Sequence, residues 1–157
     1  MLTHFNVINC VGVSDNGDGT YRIDLADGST RLATEEEVLG AKRAAVIERI
    51  NAERNRREQT SFPYLGRPID SDPVSVQRIT VAQATAQMAL AAGVPYSVDW
   101  ACADNSILTL DAMGVLGMMQ ALGSYGLALH MYSRSLKASV LASSDPESID
   151  TLTGWPE

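Results

Sequence analysis

The sequence is poor in the residues from which most catalytic sites are built. Its 157 residues include two histidines and two cysteines. Cys10 and Cys102 lie far apart, form no Cys-x-x-Cys pair and sit in no Cys/His cluster, so they read as free, partly buried thiols rather than as a disulfide or metal ligands. His4 falls in the first expected strand and His130 in an apolar helix, and nothing in the order of residues brings either to a particular carboxylate or serine. Long apolar runs are also missing. No stretch approaches the roughly 18 to 20 residues that a spanning helix requires. The start, Met1-Leu2-Thr3-His4, lacks the basic region and apolar core of a signal peptide. Positive charge is short as well: the formal charge is −7 and the pI is near 4.7, so the field repels phosphate backbones and anionic headgroups. These shortages exclude nucleic acid and membrane as expected partners and point to synthesis in the cytoplasm.

What is present suffices for a folded core. At 45% hydrophobic and 20% charged the chain is too apolar for a disordered polymer, and its length suits a small N-terminal module plus a helical core. Residues 5–33 read as a three-stranded β meander. Phe5, Val7, Cys10, Val11, Val13, Tyr21, Ile23 and Leu25 are strand formers, broken by Ser14-Asp15-Asn16-Gly17-Asp18-Gly19. Asp27-Gly28 suggests a two-residue hairpin with positive φ at both positions. Thr34-Glu35-Glu36-Glu37 has the form of a capping box, with acids at the positive end of the helix dipole. From there to about Gln59 the sequence predicts a connector helix with a thin apolar stripe at Leu39, Val46 and Ile50. That stripe also suits one strand of a weak coiled coil of identical chains.

The character changes near residues 60–62. Tyr64 to Ile69 predicts a strand, turn and strand. Asp72-Pro73 predicts an N-cap and first helical residue, followed by a helix over 74–92 that ends at Gly93. Its inward face is expected at Val76, Ile79, Ala82 or Gln83, Ala86 and Leu90. Residues 94–100 and 106–110 predict a hairpin around Ala103-Asp104-Asn105. Asp111 then caps a last helix from Ala112 to about Ser143. That helix is expected to be the apolar heart, through Met113, Leu116, Met119, Leu122, Leu127, Leu129, Met131, Leu136, Val140 and Leu141. Its glycines, Gly114, Gly117, Gly123 and Gly126, each disfavour helix by about 1 kcal/mol relative to alanine, which implies close packing or a break near Gly123-Ser124. The tail from Asp145-Pro146-Glu147 to Trp155-Pro156 predicts one capped turn and an extended end. The expected fold class is therefore α+β: an N-terminal β module (1–33), a charged connector helix (34–60) and a small α+β core (61–157) with two main helices and short hairpins. Trp100 is expected to anchor that core, so that Trp100→Ala would cost several kcal/mol.

Candidate chemistry is sparse. Asp15-Asn16-Gly17-Asp18-Gly19 superficially suggests calcium, but glycines occupy the alternate positions where an EF-hand loop has oxygen ligands, so a solvated turn is expected. Asp70, Asp72, Asp99, Asp104 and Asp111 could supply a carboxylate pair for glycoside hydrolysis, yet Asp72 and Asp111 suit caps and Asp104 a turn. Arg54, Arg56 and Arg57 interleave with Glu48, Glu53 and Glu58 at spacings that permit ion pairs, which favours a solvated, protein-facing helix over a phosphate site. No residue is assigned as catalytic, cofactor-binding or metal-ligating, no cofactor is expected, and the protein is read as non-enzymatic.

From Ala44 onward the chain resembles a family of uncharacterised domains in tail-fibre and baseplate-region genes of tailed bacteriophages and prophages. The stretches that carry the resemblance are Ala44 to Arg57 with its Asn-Ala-Glu-Arg-Asn-Arg-Arg, Asp70-Ser71-Asp72-Pro73 to Ile79-Thr80, Val98-Asp99-Trp100 with Ala103-Asp104-Asn105, Leu136-Lys137-Ala138, and Asp145-Pro146 to Gly154-Trp155-Pro156. The resemblance implies a virion or tail-assembly role without catalytic residues to carry over. The expected function is a structural tail protein, fibre- or baseplate-associated, made in the host cytoplasm and located in the virion tail. It would bind other tail proteins through the β module and charged helix, with homo-oligomerisation also open. A fibre-assembly chaperone absent from the mature virion is the alternative, and a phage-encoded hydrolase would need a site that the sequence does not contain.

Overall fold

A computed structural model of the protein describes residues 10–18 and 20–157, with Cys10 and Val11 described by backbone alone. The strand formers Phe5 and Val7, and His4, lie outside the described residues. The fold is α+β. Its elements in order are β1 (Cys10–Asp15), β2 (Tyr21–Leu25), β3 (Thr30–Leu32), α1 (Glu35–Glu58), β4 (Ser61–Tyr64), β5 (Arg67–Asp70), α2 (Pro73–Ala92), β6 (Ser97–Ala101), β7 (Ile107–Asp111), α3 (Ala112–Ala142) and a 3-10 turn at Pro146–Ser148. The chain forms two compact units. One takes in β1 to β3, α1 as far as Glu48, and residues 139–150. The other takes in the rest of α1 through Ala138 on α3, together with residues 151–157.

In the first unit β1, β2 and β3 form an antiparallel meander in that order. The β2–β3 connection is not the two-residue hairpin expected from Asp27-Gly28. Gly28 N–H donates to Leu25 O, Leu25 N–H donates to Ser29 O, and of the Asp27-Gly28 pair Gly28 alone has positive φ (+83°). This is a three-residue loop, a type I turn closed by a left-handed glycine, which also matches strand twist. The Asp27 carboxylate accepts from Ser29 N–H at 2.9 Å and so stabilises the turn locally. The capping box forms as expected: Glu37 N–H donates to Thr34 Oγ1 at 3.3 Å, and Thr34 N–H donates to Glu37 Oε2 at 2.9 Å. Val46 and Val140 are fully buried and Ile23 nearly so. Arg43 donates to Ser143 O at 2.8 Å, and Lys42 pairs with Glu147 at 2.7 Å. The 3-10 turn has Asp145 at its N-cap position without a side-chain cap, so the capped turn expected there is held by main-chain acceptors instead, with Ser148 Oγ donating to Asp145 O.

The second unit has one apolar core: Phe62, Ile69, Ile79, Ala86, Cys102, Leu110, Ala112, Val115 and Met118. Both hairpins contribute by period-two alternation. Phe62 is opposite Ile69 on β4–β5, and on β6–β7 Val98 is opposite Leu110 and Trp100 opposite Leu108. Asp72 caps α2 through Oδ1, which accepts from Val74 and Ser75 N–H at 2.9 and 3.2 Å, and Gly93 closes the helix in the left-handed region at φ +67°. α3 runs without a break. The chain approaches it closely at Gly117, where an added Cβ would lie 2.6 Å from the Tyr64 hydroxyl, itself donating to Gly114 O at 2.7 Å. Nothing in the structure explains Gly123 and Gly126, beside which there is open space.

The β4–β5 turn offers a test of backbone strain. Leu65 and Gly66 both have positive φ, +49° and +74°, as a type I′ turn demands. Leu65 is 65% exposed, so its side chain gains little to offset an unfavourable backbone region. Leu65→Asn is expected to raise stability by about 1 kcal/mol in chemical denaturation, because asparagine tolerates that region. An unchanged or lower midpoint would contradict the strain argument.

Candidate functional site

Most of the polar residues that the sequence offers for chemistry are committed to local structure; Asp70 pairs with Ser61 along β4–β5 by its backbone and has no side-chain bond among the described residues. In the β1–β2 loop Asp15 accepts from Gly17 N–H at 2.7 Å and Asp18 from Thr20 N–H at 2.9 Å, which is how a solvated turn uses such acids. Asp111 accepts from Gly114 N–H at 2.7 Å at the start of α3, Asp104 accepts from Ser106 N–H at 2.9 Å in the hairpin tip, and Asp99 accepts from Thr109 Oγ1 at 2.6 Å across the strands. These contacts depress the Asp18, Asp72 and Asp104 carboxyls, chiefly through side-chain hydrogen bonds to Thr20, Ser75 and Ser106. No group of three or more histidines, cysteines and carboxylates that could hold a metal ion occurs among the described residues. Cys102 is a free, buried thiol.

The arginine-rich end of α1 pairs with its own glutamates, as the spacing implied. Glu53 receives Arg56 at 2.7 Å and Arg57 at 2.6 Å, and Glu58 lies 3.8 Å from Arg54. His130 on α3, half-exposed, donates from Nε2 to Glu58 at 2.8 Å, a contact that the sequence did not announce. The Arg56 and Arg57 guanidiniums pull the Glu53 carboxyl down to about 2, and Arg31 with the Thr34 N–H does the same for Glu37. Both folded values lie below the ordinary 4.5, so each pair stabilises fully above that pH and is lost as pH falls toward 2. Glu53→Gln should therefore melt below the parent at neutral pH, with the gap closing as the pH is lowered to 2. A gap independent of pH would show that the ion pair is not its source. Solvent screening keeps the effect small.

A clasp secures the C-terminal segment of the second unit. Trp155 is nearly buried, with its indole N–H donating to Thr151 O at 3.0 Å. It meets the Tyr132 ring edge-on at 5.0 Å, and the Arg57 guanidinium stacks over it at 5.6 Å. Tyr132 and Arg57 also donate to the backbone oxygens of Thr153 and Leu152, at 2.8 and 3.3 Å.

Among the described residues the buried hydroxyls of Ser71 and Ser133 have no hydrogen-bond partner, and the other features left without a local duty are apolar. On α3 the residues expected at its heart divide. Leu129 and Val140 are buried, but Met113, Leu127, Met131 and Leu141 are 63, 62, 63 and 58% exposed, while Ala112, Val115 and Met118 face the core. The inward stripe is rotated from the expected one because apolar residues ring this helix and periodicity alone does not choose a face. α3 carries no Asp or Glu, and by length and composition it is apolar enough to cross a membrane. Of its buried residues Ala112, Val115 and Met118, in the first two turns, share a core with β4 to β7. On α2 Val74, Val81 and Met88 are 54, 67 and 68% exposed, and Leu90, expected inward, is 46% exposed.

A family model described as Domain of unknown function (DUF4376) matches residues 41–153. The chain belongs to that family. No curated protein and no solved structure matches it. The DUF4376 match takes in α1 from Ala41, both short hairpins, α2 and α3, and leaves β1 to β3 outside. The motifs from Ala44 onward thus belong to an uncharacterised domain family.

Proposed function

We propose that this DUF4376 protein is a structural component of a bacteriophage tail, associated with the fibre or baseplate, which acts by contact with other tail proteins and carries out no reaction. The observation that carries this reading is the exposed apolar face of α3, with Met113, Leu127, Met131 and Leu141 presented on a helix without a single acid. A face of this kind costs solubility unless a protein covers it. The assignment of the partner class to phage tail proteins rests on the Ser71-Asp72-Pro73 and Asp99-Trp100…Ala103-Asp104-Asn105 motifs. Two further supports favour a binding role over catalysis: the carboxylates at 72, 104 and 111 are spent on caps and turns, and Arg54, Arg56 and Arg57 of α1 are paired with Glu53 and Glu58. The protein acts in the virion tail after synthesis in the host cytoplasm, and the net charge of −7 argues against nucleic acid and anionic membrane as partners.

The test is co-purification with the product of the neighbouring tail gene, together with mass spectrometry of purified particles. Stable association and recovery in particles is expected, and Leu127→Asp with Met131→Asp should abolish the association while the melting curve stays unchanged. Association without recovery in particles would replace the structural role by that of an assembly chaperone. Absence of both would refute the tail reading.

A further inference from the structure

Asn16-Gly17 in the β1–β2 loop is the one Asn-Gly pair in the sequence. Such a pair carries its own modification chemistry. The glycine backbone nitrogen, once it has lost its proton to water or hydroxide, attacks Cγ of the asparagine. A bond forms between that nitrogen and Cγ, the bond from Cγ to Nδ2 breaks, and the side-chain nitrogen leaves as ammonia. Glycine favours the step because it has no Cβ to obstruct the approach. Water then opens the cyclic imide at either carbonyl, leaving aspartate or isoaspartate at position 16. Both residues are exposed, and nothing lies within 4 Å of the place a Cβ on Gly17 would occupy, so neither packing nor lack of water hinders the reaction. Hydrogen bonds do. Gly17 N–H donates to Asp15 Oδ1 at 2.7 Å, and a bond to the protonated amide with a negative charge beside it opposes loss of that proton. The carboxamide is held as well: Asn16 Nδ2 donates to Thr20 Oγ1 at 2.9 Å. The Thr20 hydroxyl gives its own proton to Asp18 Oδ1 at 2.6 Å, so its oxygen is left to accept. Asn16 N–H donates to Thr20 O at 3.0 Å and fixes the backbone of the same residue.

We propose that Asn16 is a self-modification site which the β1–β2 loop keeps closed: deamidation proceeds through local opening that frees the Gly17 N–H from Asp15 and the Asn16 carboxamide from Thr20. The step is one-way, and its product favours the open loop. An acid at position 16 has no Nδ2 to give to Thr20, and it adds another carboxylate beside Asp15 and Asp18. Isoaspartate also lengthens the backbone by a methylene inside the loop that joins the paired Asp15 and Tyr21. Opening of the loop is thereby recorded in the covalent structure, and loosening of β1–β2 follows. This inference does not depend on the phage-tail reading or on the α3 partner.

The experiment is incubation of the full chain in mildly alkaline buffer beside a synthetic peptide of residues 12–22, with mass spectrometry of acid-stopped digests to count acid at position 16. The folded chain is expected to deamidate about tenfold more slowly than the peptide, since an exposed loop opens at modest cost. Thr20→Val keeps the main-chain bonds of the loop and removes the acceptor for Nδ2, and Asp15→Ala removes the acceptor for Gly17 N–H. Each should raise the rate severalfold, while hydrogen exchange at residues 21–25 of β2 stays as in the parent. The deamidated chain, separated by its extra negative charge, should exchange faster than the parent at those amides. Equal rates in the folded chain and the peptide would overturn the proposal, as would a Thr20→Val rate no higher than the parent's. A rise that appears only together with faster exchange along β2 would assign the protection to the hairpin as a whole and overturn the role given to Asp15 and Thr20.

Discussion

Replacing Phe62 by alanine is expected to cost about 4 kcal/mol, the largest loss from any single truncation in the second unit. Phe62 is 1% exposed and is the largest of the fully buried side chains. It stands opposite Ile69 on the β4–β5 hairpin and shares the core with Ile79 of α2 and Val115 and Met118 of α3. Truncation leaves a cavity among elements held in place by their own backbone pairing, so the site cannot collapse to fill it. With a domain stability of about 5–15 kcal/mol, a loss of this size leaves the fold marginal at physiological temperature. Trp100, which the sequence suggested as the anchor, is half-buried on β6 and packs at the margin of the same core. Trp100→Ala should therefore cost roughly half as much. Urea denaturation of the two variants beside the parent decides the order, and a larger loss at Trp100 than at Phe62 would place the centre of the core on the β6–β7 hairpin.

Trp155→Ala should come next, at about 3 kcal/mol. The change removes a nearly buried indole, an edge-on contact with Tyr132, the stacked Arg57 guanidinium and the bond to Thr151 O together. Trp155→Phe keeps the ring contacts and loses the N–H donor, so it should recover more than half of that loss. The neighbouring glycine provides an independent check. Gly154 has φ +76°, and an added Cβ would lie 2.5 Å from the Tyr132 hydroxyl. Gly154→Ala should thus open the clasp while leaving Trp155 in place. Hydrogen exchange over residues 151–157 should rise in both Trp155→Ala and Gly154→Ala, and unchanged protection would show that the clasp contributes nothing to the unit.

Much of the architecture was legible because its signals are local. The capping box at Thr34 and Glu37, the Asp72-Pro73 start and Gly93 stop of α2, and the Asp111 cap each need a few adjacent residues whose backbone groups require partners. The ion pairs of Glu53 with Arg56 and Arg57 were legible for the same reason, since three- and four-residue spacing on a helix enforces proximity. The Asp27-Gly28 turn was misjudged by one residue: a glycine in the left-handed region closes a two-residue and a three-residue loop alike, and strand register chooses between them.

Three features were not legible. Trp155 reaches Tyr132 and Arg57, distant in sequence, and no spacing announces the meeting. Glu58 finds His130 in the same way. On α2 and α3 the composition shows how much apolar surface exists without saying which side of the helix is covered.

The sequence alone determines the order and type of the elements and the ends of the helices, because caps, turn residues and alternation are short-range requirements of the backbone. It also determines that Asp72 and Asp111 cap helices and that Glu53 pairs with Arg56 and Arg57. Which apolar residues are buried is settled only when the hairpins and helices meet, since burial depends on the shape of the neighbouring element. That packing buries Ala112, Val115 and Met118 and leaves Met113, Leu127 and Met131 facing outward.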